Sequence, residues 1–219
     1  MRALVVRGGW AGHEPVACTD LFRDFLEGHG FDLRIADSLD VYTEPGVYDL
    51  IVQCWTGARF TAEQEEGLVA RVRAGAGFAG WHGGVVATGF EAPRYQYMVG
   101  GRFVCHPGDF VDYTVDITGT HPITAGLSSY DVHTEQYFMH VDPTLEVLAT
   151  TTFTGDHGAP ETAGAVVPVV WTRRFGAGRV FVCTLGHSHA DLLVPQTRMI
   201  TERGMLWACG IVRDHDRDH

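Results

Sequence analysis

Apolar positions in the first third of the chain follow two alternating patterns. Residues 3–6 (Ala-Leu-Val-Val) form a short unbroken apolar run, as expected of a strand buried on both faces. Pro15 suits the first turn of a helix, where its missing N–H is not needed. Residues 16–29 continue that helix, with Phe22, Phe25 and Leu26 at three- and four-residue spacing and Gly30 as a stop. Residues 31–36 and 49–53 are the next two strands. Thr61-Ala62-Glu63-Gln64 has the capping-box pattern, so a helix starts at Thr61, turns Leu68, Val69 and Val72 inward, and ends near Gly75. Residues 76–81 form a fourth strand whose glycines require another backbone to pack closely.

Strands apolar on both faces that alternate with helices predict an α/β fold: a parallel, doubly wound sheet covered on either side. The second half is richer in strands, at 112–117, 132–140, 145–153, 166–174 and 179–185, the last two joined as a hairpin through Phe175-Gly176-Ala177-Gly178. Pro195 opens a final helix through Cys209, with Met199, Ile200, Leu206 and Trp207 expected on its inner face. The reading is one domain over residues 1–212, with a polar, disordered tail at 213–219.

Charge narrows the partners. Sixteen Lys and Arg against 27 Asp and Glu give a net charge of −11 over 219 residues, a field that repels nucleic acid and anionic membrane surfaces. Five scattered cysteines without a CxxC pair signal neither a disulfide framework nor a cysteine zinc site, and fit a reducing cytoplasm. The apolar start is too short for a signal-peptide core, and no run approaches the roughly 20 residues that span a bilayer. A homo-oligomer is left open.

In an open parallel sheet the carboxyl ends of the strands face one crevice, where ligands bind. Four such ends carry candidate chemistry: Gly8 to Glu14 with Trp10 and His13, Gln53 to Gly57 with Trp55, Gly80-Trp81-His82-Gly83-Gly84, and Gly186-His187-Ser188-His189. The third has the spacing of a nucleophile elbow, in which flanking small residues allow a strained turn that lifts the central side chain into the crevice. Here that side chain is the His82 imidazole, suited to acid-base work or metal ligation and ill suited to an acyl intermediate. Cys54 and Cys183 read as inert packing.

Gly80-Trp81-His82-Gly83-Gly84, Thr120 through Leu127 (THPITAGL), Thr134-Glu135-Gln136-Tyr137 and Val170 through His187 (VWTRRFGAGRVFVCTLGH) together resemble the ThuA-like, trehalose-utilisation family of the class I glutamine amidotransferase-like superfamily. The resemblance runs in order over nearly the whole chain. It implies a three-layer, flavodoxin-like, mostly parallel sheet with an added β-hairpin. It also implies use of trehalose or a related disaccharide through oxidised, keto-sugar intermediates, as a hydrolase, lyase or isomerase. Amidotransferases place cysteine at the elbow and His-x-Glu on a later strand end. With His82 at the first position and His187-Ser188-His189 near the second, thioester chemistry is not expected.

Two mechanisms fit these residues. In the first, which the sequence favours narrowly as metal-free or loosely metal-assisted, His82 and His187 exchange protons with Glu135 on a sugar-like substrate. In the second, His82, His187 and Glu135, with His13 or His189, gather a divalent metal such as zinc. Trp10, Trp55 and Trp81 offer flat apolar faces to sugar rings, Gly83 lets substrate approach, and Tyr137 shares a strand face with Glu135 at i and i+2. His106 and His121 sit in X-Pro turns and are expected mainly to fix those loops. Two rivals remain. Dinucleotide binding at Gly9, Gly12 and Asp37 is disfavoured because Arg7 stands where the fingerprint needs its first glycine. The other is a non-catalytic module that binds a sugar derivative or a subunit.

Overall fold

The apolar runs of the first half do form strands in the computed structural model, which describes residues 1–212; the expected tail at 213–219 lies outside the described residues. The strands are β1 (Arg2–Gly9), β2 (Asp32–Ala36), β3 (Leu50–Thr56), β4 (Gly77–Trp81), β5 (Gly101–Cys105) and β6 (Phe110–Ile117). They continue as β7 (Tyr130–Glu135), β8 (Phe138–Val141), β9 (Glu146–Thr152), β10 (Val166–Phe175) and β11 (Gly178–Cys183). Nine of them form one sheet in the order β2-β1-β3-β4-β11-β10-β9-β6-β7, and β5 pairs with β8 apart from it. From β2 to β11 every pairing is parallel, in a flavodoxin-like order; from β11 to β7 every pairing is antiparallel. The expected hairpin of β10 and β11 is the hinge between these two regions.

Strand alternation divides the core between the two faces of the sheet. Ala3 and Val5 pack with Phe22, Leu26, Leu192, Ile200 and Trp207, beneath α1 (Pro15–Asp20), α2 (Arg23–Gly28), the short α6 (His189–Leu192) and α7 (Pro195–Ala208). Leu4 and Val6 pack on the other face with Leu68, Val69, Tyr95 and Met98, beneath α3 (Ala62–Arg73) and α5 (Pro93–Val99). Fully buried Phe22, Phe78 and Phe181 each contribute about 2–3 kcal/mol of transfer free energy. The capping box forms as expected: Gln64 N–H donates to Thr61 Oγ1 at 3.2 Å, and Thr61 N–H donates to Gln64 Oε1 at 2.9 Å.

Three expectations are corrected. The helix expected at 16–29 breaks into α1 and α2, because the Thr19 hydroxyl donates back to Pro15 O at 2.7 Å and the Phe22 backbone leaves the helical region (φ −102°, ψ 2°). The strand expected at 132–140 is two: Gln136 turns inward, its amide donating to Thr151 Oγ1 at 2.7 Å, so the chain leaves β7 and enters β8 of the second sheet. Met199 is exposed on α7, whose inner face is instead carried by Thr197, Ile200, Thr201, Gly204 and Met205. The helix α5 and strand β5 were not anticipated.

Candidate functional site

The site lies at the switch point of the parallel region, where the chain leaves β1 for β2 on one side and then crosses from β2 to β3 on the other. Gly9 (φ +79°) lets β1 press against β3, since a Cβ there would overlap the Thr56 backbone. Trp10 N–H then donates to Thr56 O at 3.2 Å, and a short turn over Ala11–His13 delivers His13 into the interior. Its Nδ1 lies 2.7 Å from Thr56 Oγ1, which leaves Nε2 for the site. Gly83 is the neighbour that makes room, because a Cβ on it would overlap the His13 ring.

His82 occupies the elbow between β4 and α4 (Gly83–Val86), with φ 49° and ψ −147°, a conformation costing roughly 1–3 kcal/mol for a non-glycine residue. The surroundings hold it there. Its backbone N–H donates to Cys183 O at 2.7 Å, and Gln53, buried below, donates from Nε2 to Gly84 O at 3.1 Å and to the Tyr95 hydroxyl at 2.7 Å. The ring is oriented as well: Nδ1 stands 2.7 Å from Thr184 O, and a carbonyl can only accept, so Nδ1 carries the proton. Nε2 therefore faces the site as a lone pair. It meets Glu135 Oε2 at 3.0 Å and the Tyr137 hydroxyl at 2.7 Å, with the Tyr137 ring stacked on His82 at 4.1 Å.

Glu135 ends β7, and its backbone carbonyl accepts from the Tyr113 hydroxyl at 3.1 Å. His187, just past β11, places Nδ1 3.1 Å from Glu135 Oε2 but off the line of a hydrogen bond, and that buried nitrogen has no hydrogen-bond partner among the described residues. One ligand atom each from His13, His82, Glu135 and His187 lie within 4.8 Å of one another. His106 stands behind this group, its Nε2 3.8 Å from the other carboxylate oxygen, Oε1.

Electrostatics sort the four. Burial, helped by the neighbouring His82, pushes His13 down to about 3. Burial also lowers His82, against the opposing pull of Glu135. Both rings are neutral at pH 7. Burial raises Glu135, but the imidazoles of His187 and His82 outweigh it and hold the carboxyl well below the usual carboxylate range. The Glu135 carboxylate in turn raises His187. Three imidazoles converging with one carboxylate form a donor set suited to a zinc-like divalent cation, whose ligands stand about 2.0–2.2 Å from the ion. The carbonyl behind His82 Nδ1 is the outer partner such ligands use to fix their tautomer.

The structure thus brings together His82, His187, Glu135, His13, Gly83 and Tyr137. Glu135 and Tyr137 reach His82 from either side of the break between β7 and β8, rather than from one strand face. Trp10 lies at the rim, 57% exposed, its ring 4.6 Å from that of His13. Trp81 is a correction: it is 1% exposed and packs against Phe22 at 5.2 Å, so it offers no face to a substrate. The Trp55 ring lies over Gly8. His189 does not join the four. One oxygen of Glu14, Oε2, accepts both its backbone N–H at 3.0 Å and its Nδ1 at 2.7 Å. His121 fixes its turn, accepting Ile123 N–H at 3.2 Å. Burial pushes the Cys54 thiol up, consistent with inert packing, and Cys183 up to about 12. Sequence reasoning missed Thr56, Thr184 and Gln53 as supports and Phe110 as a neighbour of His187.

These features define an α/β protein with a buried three-histidine, one-glutamate site at the switch point of its sheet. A family profile described as ThuA, trehalose utilisation, matches residues 2–208, and the chain belongs to that family. A ThuA-like protein from Bacteroides uniformis superposes with a TM-score of 0.78 at 18% identity, over 98% of this chain and 93% of that one. A ThuA-like protein from Parabacteroides merdae gives 0.76 at 18% identity, over 96% and 90%. A β-galactosidase from a Rahnella species gives 0.57 at 17% identity, over 91% of this chain and 30% of that enzyme. At these identities the likeness shows a shared fold. Among curated proteins, none matches the sequence. No helix among the described residues is long and apolar enough to cross a membrane.

Proposed function

We propose that this ThuA-family protein is a sugar-active enzyme that holds a divalent cation such as zinc at His13, His82, Glu135 and His187. Its substrate is trehalose or a related disaccharide, bound in parent or oxidised form, with the keto form the one that reacts. The carrying observation is the pairing of His82 Nε2 with Glu135 Oε2 at 3.0 Å while the one proton of the neutral ring is spent on Thr184 O. Two acceptors face each other there, the Tyr137 hydroxyl is a donor beside them, and His187 Nδ1 is a third ligand atom, without a hydrogen-bond partner among the described residues. A cation among them satisfies all three. When bound it supplies a Lewis acid that polarises a carbonyl, the group by which a keto-sugar differs from its parent.

The chain's own residues do the rest. Thr184 O and Thr56 Oγ1 hold the His82 and His13 rings in one orientation. Burial, then the nearby Glu135 charge, raises Tyr137, so its hydroxyl keeps a proton that it can donate to a substrate oxygen. Trp10 offers its exposed ring to the sugar. The family description supports a carbohydrate substrate. A second reading, proton exchange between His187 and Glu135 without metal, is favoured by the raised His187 beside an ionised Glu135. Elemental analysis of protein purified without chelators, with turnover of oxidised and unoxidised disaccharides before and after chelation, tests both. The proposal expects about one metal per chain and activity lost on chelation. Activity that survives complete metal removal overturns it in favour of the second reading.

A further inference from the structure

The His187 ring is met edge-on by two aromatic side chains that project into solvent. The Phe110 ring is 4.9 Å away at 85°, and the Trp10 ring is 6.3 Å away at 70°. Phe110 is 49% exposed and Trp10 57%. Both positions are built. Phe110 opens β6 directly opposite Glu135 in the ladder with β7, and residues so paired project to the same face of a sheet. Asp109 before it takes a left-handed backbone (φ 55°) that sets where the strand begins. The Trp10 ring lies over Gly12, where a Cβ would overlap it, and stands edge-on to His13. Two large aromatic faces held in place yet left in water, both edge-on to one site residue, gain transfer free energy when an apolar surface covers them.

We infer that Phe110 and Trp10 form a subsite for a neutral pyranose ring beside His187. This rests on the carbohydrate reading above and is independent of the metal. The axial C–H face of a pyranose is flat and apolar, matching an aromatic ring, whereas an extended polyol has no such face. Charge selects among ring sugars: Asp109 lies beside Phe110 and Glu14 next to His13, the nearby cations are already matched, Arg7 by Asp20 at 2.6 Å and His187 by Glu135 at 3.1 Å, and the whole chain carries −11. A phosphorylated sugar is therefore disfavoured.

Titration calorimetry on the full chain, with zinc content measured in the same samples, tests this with three probes: trehalose, trehalose 6-phosphate and sorbitol. Trehalose is expected to bind most tightly. Phe110→Ala and Trp10→Ala should each weaken it roughly tenfold, the scale of one aromatic contact, with zinc content unchanged. Phe110→Trp should retain wild-type affinity. The subsite is overturned if zinc-replete wild-type protein fails to bind trehalose, prefers the phosphate ester or sorbitol, or binds trehalose as tightly with Ala at 110. Protein that lacks zinc yet binds trehalose through Phe110 overturns the metal reading and leaves the subsite standing.

Discussion

The parallel and antiparallel regions of the sheet contribute unlike things to one site. The parallel strands β1, β4 and β11 end at one edge and deliver His13, His82 and His187 from the turns that follow them. The antiparallel region delivers the single carboxylate, Glu135, together with Tyr137 and Phe110, from β7, the segment after it and β6. The neutral nitrogen ligands thus come from the region whose geometry is fixed by parallel strand ends. The charge comes from the appended antiparallel strands, and the functional unit is the contact between the two.

Removing the charge breaks that contact most severely. Glu135→Gln keeps the shape and should lower both turnover and metal retention by more than roughly a hundredfold, since partners one layer further out already cost ten- to a hundredfold. His82→Ala should do the same from the parallel side while the fold persists by circular dichroism. Loss from only one of these variants would show that one region carries the site alone. Next comes Gly83→Ala, whose added methyl overlaps the His13 ring. Metal affinity should fall about ten- to a hundredfold, read by competition with a chromogenic chelator, with little change in Glu135 variants that have already lost the ion.

Acid should separate the two regions in metal-stripped protein. His13 is held near 3, and His82 below its ordinary 6.5, so the unfolded chain takes up protons below pH 6.5 that the native state refuses. Stability should therefore fall as pH drops from 6.5 toward 4.5, with a slope approaching about 1.4 kcal/mol per pH unit from His13 and a further loss of the same sign from His82. His187 has the opposite sign: its pKa is raised, so its contribution is complete below 6.5 and is lost as pH rises through its native value. Glu135, held low, adds a loss as pH falls below 4.5. Urea midpoints across this range that stay flat would show that the two rings do not resist protonation. The smallest effect is expected from Tyr113→Phe, which removes the bond to Glu135 O and should cost about 1 kcal/mol.

The parallel region was largely legible in the sequence because unbroken apolar runs and glycine-bounded strand ends place His13, His82 and His187 at one edge. The antiparallel region was not. A period-2 pattern runs through 132–140 without a mark at Gln136, and only the tertiary bond from its amide to Thr151 reveals the break. Phe110 was missed because the alternation starts clearly at Asp112, two residues late. Trp81 was misread for a different reason: a residue that ends a buried strand still points into one of the two cores, and the elbow turns only its successor outward. The supports Thr56 and Thr184 carry no pattern of their own, since a threonine at a strand end is ordinary until an imidazole stands beside it.

The surface contact between Glu14 and His189 ties together two loops that are 175 residues apart in the chain. Glu14 follows His13 directly, and His189 lies two residues past His187, so one carboxylate oxygen fastens the flanks of two interior rings from outside. Each flank also keeps its own bonds, Trp10 N–H to Thr56 O on one and Ser188 N–H to Asp191 Oδ2 on the other, so the Glu14 oxygen is a seam between two loops that are already fastened.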